Sequence, residues 1–138
     1  INDVRPKMTV AHLGSDSEYV KITFNPPFST EGWCQAEVEI SVQGFQGRIA
    51  PWFDADEVIR FAKELTGMYK SLQGTTEFKP VEEQLMLELR ATSNGHILVK
   101  GEAWSEAKYG NKLEFELGLD QSYLPSFIAE LPGALEAT

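Results

Sequence analysis

The sequence has few of the residues that build disulfides, metal sites or nucleic-acid-binding surfaces. Its 138 residues include one cysteine, Cys34, and two histidines. A lone cysteine forms no internal disulfide, so we expect a protein of the reducing cytoplasm rather than a secreted disulfide scaffold. Only 12 lysines and arginines stand against 21 aspartates and glutamates, a net charge of −9. We therefore expect neither nucleic acid nor an anionic membrane surface as a direct partner, because both attract clustered basic side chains.

Long apolar segments and internal repeats are also absent from the sequence. No run approaches the roughly 18 apolar residues of a transmembrane helix, and the charged start, Ile1 to Lys7, argues against a signal peptide. A hydrophobic share of 42% is enough for a buried core. We expect one domain over residues 1–138, with frayed ends at residues 1–7 and 134–138.

Two segments carry the pattern of amphipathic helices. In the first, residues 54–72, apolar side chains recur every three or four positions. Asp54 is the expected N-cap and Gly74 the expected stop. The second helix begins near residues 120–122, with Pro125 tolerated in its first turn. Each helix has one apolar stripe, which has to be covered by a sheet.

The rest of the chain reads as antiparallel strands, because apolar and polar residues alternate with a period of two. The predicted strands cover residues 8–13, 19–24, 36–42, 45–52, 75–79, 85–90, 97–104 and 113–119. Asn94-Gly95 is typical of a hairpin turn. We therefore predict an α+β fold with a single antiparallel sheet, and with one central and one C-terminal helix packed on one face of it.

The water-facing side of the predicted sheet is acidic. Alternation assigns six glutamates to it: Glu37, Glu39, Glu88, Glu102, Glu114 and Glu116. Only Lys21, Arg90 and Lys100 oppose them. One interpretation is a solvated face that keeps the protein soluble and prevents association of strand edges. The other is a docking surface for a basic protein partner, to which Trp104 and Tyr109 would add aromatic contacts.

The sequence offers little support for catalysis, for a cofactor or for a metal site. His12 and His96 lie near predicted strand ends without further ligands at metal-binding spacing. Cys34 next to Trp33 on an apolar strand is typical of an inert buried thiol. Gly44-Phe45-Gln46-Gly47 lacks the following Lys-Ser or Lys-Thr of a phosphate-binding loop. We predict a protein that is not an enzyme and has neither cofactor nor metal.

The order of motifs from Glu37 to Leu131 resembles the WapI-like immunity family of small bacterial proteins. The most specific pieces are Gly110-Asn111-Lys112-Leu113, at the start of a predicted strand, and Asp120-Gln121-Ser122-Tyr123-Leu124-Pro125 at the last helix. The resemblance implies a non-enzymatic cytoplasmic protein that binds and neutralises a toxin delivered by neighbouring bacteria in a contact-dependent way. A basic toxin domain would suit an acidic inhibitor. The alternative is a protein-binding module without a toxin partner, or one that self-associates into a homo-oligomer through a strand edge.

Overall fold

The structure is a computed structural model and describes residues 9–25, 28, 31–107 and 109–132. The ends that we expected to be frayed, 1–7 and 134–138, lie outside these residues. The elements in chain order are β1 (Thr9–Gly14), β2 (Tyr19–Phe24), β3 (Trp33–Val42), β4 (Phe45–Ile49), β5 (Trp52–Asp54), α1 (Ala55–Ser71), β6 (Thr75–Phe78), β7 (Leu85–Ala91), β8 (His96–Glu106), β9 (Tyr109–Asp120) and α2 (Leu124–Glu130).

The strands form two antiparallel sheets. In the first, the order is β1-β2-β3-β4, and β5 pairs with the beginning of β3. In the second, β6, β7, β8 and β9 follow one another as neighbours. The turn between β7 and β8 is the predicted Asn94-Gly95 turn, and both residues have positive φ, 62° and 76°. Asparagine and glycine tolerate this conformation better than other residues do.

The α+β class is confirmed, but the prediction of a single sheet is wrong. The ladder of the first sheet ends at β5, where α1 begins, and the chain resumes pairing only at β6. Alternation shows which side chains of a strand face the core, and it carries no information on which strand edges pair. The sheets contact each other through β4 with β8 and through β3 with β9, without a shared ladder in the described residues.

The helix α1 has the bounds that the sequence predicted to within one residue at each end, but glycine is not its C-cap. The Asp54 side chain accepts a hydrogen bond of 2.8 Å from the N–H of Asp56, which confirms the N-cap. At the other end Leu72 takes the left-handed conformation, φ 55°, and its N–H donates to the Met68 carbonyl. Gly74, the expected stop, follows two residues later with φ 93°. A non-glycine residue therefore ends the helix, although the conformation favours glycine.

The second helix, α2, begins at Leu124, later than the predicted start near residues 120–122. A 3₁₀ turn at Gln121–Tyr123 precedes α2, and the Asp120 carboxylate accepts the N–H of Ser122 at 3.3 Å. Pro125 lies in the first turn of α2, as expected. Among the described residues no helix is long and apolar enough to span a bilayer.

The core lies between the two sheets and the two helices. A chain of aromatic contacts crosses it: Phe24 packs against Phe53, Phe53 and Phe61 against Phe78, and Phe61 against Phe127, with ring centres 5.0–6.3 Å apart. These five side chains come from β2, β5, β6, α1 and α2 and are almost fully buried. The helices thus pack on elements of both sheets, α2 on β1 and α1 on β5 and β6.

Candidate protein-binding surface

The outward face of the second sheet carries a grid of charged side chains. One row across β7, β8 and β9 consists of Glu88, Lys100 and Glu116, which are register partners. The next row consists of Met86, Glu102 and Glu114. The intervening residues of these strands point inward and form part of the core. The outward direction of these glutamates therefore follows directly from burial of the apolar residues between them.

This face is concave and negatively charged. The concavity has a volume of about 520 Å³, and we call it the acidic groove. Its charged lining residues are Glu77, Lys79, Glu88, Lys100, Glu102, Glu114 and Glu116. Five carboxylates minus two ammonium groups leave a net charge of −3 on the lining. A concave surface of one sign concentrates field lines and attracts oppositely charged partners.

Aromatic and basic side chains border one end of the acidic groove. Trp104 lies on the outward face of β8 and donates a hydrogen bond of 2.8 Å from Nε1 to Glu102. Lys112 lies opposite Trp104, with its Nζ 5.3 Å from the centre of the indole ring. The same Lys112 makes an ion pair of 3.0 Å with Glu114, which raises the pKa of the lysine. The indole therefore holds the Glu102 carboxylate in a defined position.

Glu37 and Glu39 belong to the first sheet and are not part of the acidic groove. Glu39 accepts hydrogen bonds from the Tyr19 hydroxyl at 2.6 Å and from Arg48 at 2.7 Å. These two bonds lower the pKa of Glu39, and the bond to Glu39 raises the pKa of Tyr19. The smaller concavity around them contains Glu37 and Glu39 together with Lys21 and Arg48. The charges that line this smaller concavity are balanced.

The structure thus divides the predicted set between two surfaces. Glu88, Glu102, Glu114 and Glu116 come together in the acidic groove, and Trp104 lies next to them. Tyr109 is 67% exposed at the hairpin between β8 and β9, outside the groove lining.

The groove residues that were missing from the predicted site include Glu77, Lys79, Met86 and Lys100. Glu77 lies directly opposite Glu88 and adds a fifth carboxylate. Its neighbours Thr76 and Phe78 are buried, so alternation in the short strand 75–79 was the signal that could have found it. Met86 adds an apolar side chain to the row that contains Glu102 and Glu114. A methionine on the water-facing side of a strand is a weak sign of a contact surface.

The residues weighed for catalysis lie apart from the acidic groove. The Cys34 thiol is buried and donates to the Asn25 carbonyl at 2.9 Å, and burial raises its pKa. A raised pKa disfavours the thiolate that a nucleophile needs. His12 bonds through Nε2 to the Ser15 carbonyl and stacks on Tyr19. In the part of the chain that the structure describes, no group of three or more metal-ligating side chains converges.

Comparison with known proteins gives one match. A family model described as the immunity protein WapI-like family matches residues 11–138, nearly the whole chain. The match therefore starts well before Glu37, where the resemblance in the sequence began. Neither a curated protein nor a solved structure matches the chain.

Proposed function

Because the chain belongs to the WapI-like immunity protein family, we propose that it binds and neutralises a cognate toxin domain, and that the acidic groove is its binding surface. The family assignment supports a protein partner. The net charge of −3 on the groove lining supports a basic partner, because complementary charge speeds the encounter and disfavours wrong partners.

The single observation that supports the choice of surface is the difference in charge between the linings of the two concavities. Around Glu37 and Glu39 two acids face two bases, whereas in the acidic groove five acids face two bases. Solubility alone would be served by either arrangement. A concave site with excess carboxylates, a methionine and a tryptophan at its border has the composition of a surface for a cationic protein.

The proposal includes non-enzymatic inhibition in the bacterial cytoplasm. Inhibition by occlusion needs no reactive group on the inhibitor. Cys34 has no second cysteine with which to form an internal disulfide, which is compatible with a compartment that keeps thiols reduced.

A co-expression experiment tests the function. The toxin domain encoded next to this chain is expressed in bacteria with and without it, and growth and complex formation are measured. We expect growth to be restored and a stable one-to-one complex to form, with association slowed by added salt. Failure of the chain both to protect cells and to bind the toxin domain would refute the proposed function.

A further inference from the structure

The strand β9 forms a long sheet edge, because within the described part of the chain it pairs with a strand on one side only. It has 12 residues, against 6, 5 and 4 for the other terminal strands β1, β4 and β6. The edge at β1 is covered by α2, since the His12 N–H donates to the Glu130 carboxylate at 3.0 Å. For β9, only β8 pairs with it among the described residues.

The hydrogen bonds between β7, β8 and β9 show which backbone groups of β9 point away from β8. The Trp104 N–H donates to the Gln84 carbonyl at 2.8 Å, so the backbone of Trp104 points away from β9. Backbone direction alternates along a strand, hence Gly101 and Ala103 bond to their partners in β9. Those partners are Phe115 and Leu113. The residues of β9 that alternate with these partners, including Glu114, Glu116 and Gly118, therefore direct their N–H and C=O groups away from β8.

The free edge is open to solvent and has a defined chemical pattern. Gly118 is exposed, and because it has no side chain its exposure is that of the backbone itself. Its chain neighbours aside, no atom lies within 4 Å of the position that a Cβ at Gly118 would take, so the outward face of β9 is also open here. The residues with outward backbone groups include two exposed carboxylates, Glu114 and Glu116, on the groove side. Their neighbours Phe115 and Leu117 face the core.

We propose that β9 accepts an extended segment of the toxin as an additional strand, in which basic and apolar residues alternate. This inference rests on the proposed function and adds the binding mode. In such pairing, the partner residues opposite Glu114 and Glu116 have their side chains on the same face as the acidic groove. Lysine or arginine at these positions would extend the charged rows. The intervening apolar residues would extend the inner face beside Phe115 and Leu117.

Charge decides between this occupant and a second copy of the chain. If two β9 strands paired antiparallel around Glu116, the glutamates of the copies would face each other. Like charges directly opposite one another on neighbouring strands are destabilising. A basic strand instead places opposite charges at the same positions, so the charge at Glu116 favours a cationic segment over a second copy in this register.

A peptide experiment separates strand addition from simple charge attraction. The probe is a short, terminally blocked peptide of alternating lysine and valine. Its binding to the full chain is measured by calorimetry. One variant is N-methylated on the lysine amides, which face β9 in the proposed register, and the other on the valine amides, which face away. Both variants keep the full charge. We expect the first to lose at least about tenfold in affinity and the second to bind like the parent.

Equal binding of the two methylated peptides, or no binding of the parent, would overturn the inference. The Gly118→Pro variant provides a second measurement, since it removes an outward N–H that β8 does not use. We expect it to weaken binding of the peptide and of the toxin domain while the circular dichroism spectrum is kept. A concentration-dependent dimer that Gly118→Pro abolishes would identify a second copy as the occupant and also overturn the inference.

The two proposals fail in different ways. If Gly118→Pro binds and neutralises the toxin domain as well as the wild type does, strand addition is refuted and the immunity function stands. The opposite outcome is that the chain never binds the toxin domain, while the methylated peptides and the effect of Gly118→Pro on peptide binding are as expected. The proposed function is then refuted, and strand addition at β9 stands.

Discussion

Glu102 and Glu114 lie directly opposite each other on β8 and β9, with both carboxylates on the outward face. Like charges at such positions destabilise a sheet. Each carboxylate has a separate partner, the Trp104 indole for Glu102 and the Lys112 ammonium for Glu114. These contacts reduce the repulsion and leave the groove negatively charged. Such an arrangement fits a surface that receives positive charge from outside.

Neutralising one member of this pair should stabilise the fold and weaken binding. For Glu102→Gln, whose amide oxygen can still accept the bond from Trp104, we expect the free energy of unfolding to rise by about 0.2–0.5 kcal/mol at low salt, because the cross-strand repulsion is removed. Chemical denaturation measures the change, and high salt should abolish it. Glu106→Gln is the control, since Glu106 has Tyr109 rather than an acid as its register partner. A loss of stability in Glu102→Gln but not in the control would contradict the prediction.

Charge reversal in the acidic groove should slow association with the toxin domain. For Glu88→Lys we expect the association rate to fall on the order of tenfold at low salt, because electrostatic attraction is lost. Stopped-flow fluorescence measures the rate. Glu37→Lys makes the same change of charge on a strand of the first sheet. If both variants slow association equally, total charge rather than the acidic groove controls the encounter.

The Tyr19–Glu39–Arg48 contacts should stabilise the protein in a pH-dependent way. The folded pKa of Glu39 lies below its ordinary value of 4.5, so ionised Glu39 contributes stability above that pH. This contribution is lost as the pH falls through the lowered folded pKa. We therefore expect the wild type to be more stable than Glu39→Gln at pH 7, and the difference to shrink on acidification. Urea unfolding at a series of pH values measures it. A difference that is independent of pH would contradict the assignment.

Gly101 should be intolerant of any side chain. A Cβ at this position would collide with the ring of Phe115, which is almost fully buried. We expect Gly101→Ala to cost about 1–3 kcal/mol, as overpacking of a core usually does. Gly118→Ala is the matched control, because the space around Gly118 is open. Phe115→Leu should partly rescue Gly101→Ala in a double-mutant cycle of unfolding free energies, and additive effects would argue against a direct clash.

Much of the fold could be predicted because local patterns control it. The apolar side chains of α1 and the alternating aliphatic residues of β7 and β9 must be buried, whatever tertiary arrangement they enter. The Asp54 cap and the Asn94-Gly95 turn also depend only on neighbouring residues. For the same reason the outward direction of Glu88, Glu102, Glu114 and Glu116 was visible in the sequence.

The sequence alone determined which side of the strands β2, β3, β7, β8 and β9 meets water, because burial of apolar residues with period two dictates it. The tertiary structure decided which of these water-facing residues share a surface. It interrupted strand pairing at α1, placed Glu37 and Glu39 in a concavity of balanced charge, and brought Glu77 next to Glu88. It also left β9 at the edge of its sheet. These choices depend on contacts between residues far apart in sequence, and a local pattern contains no information about them.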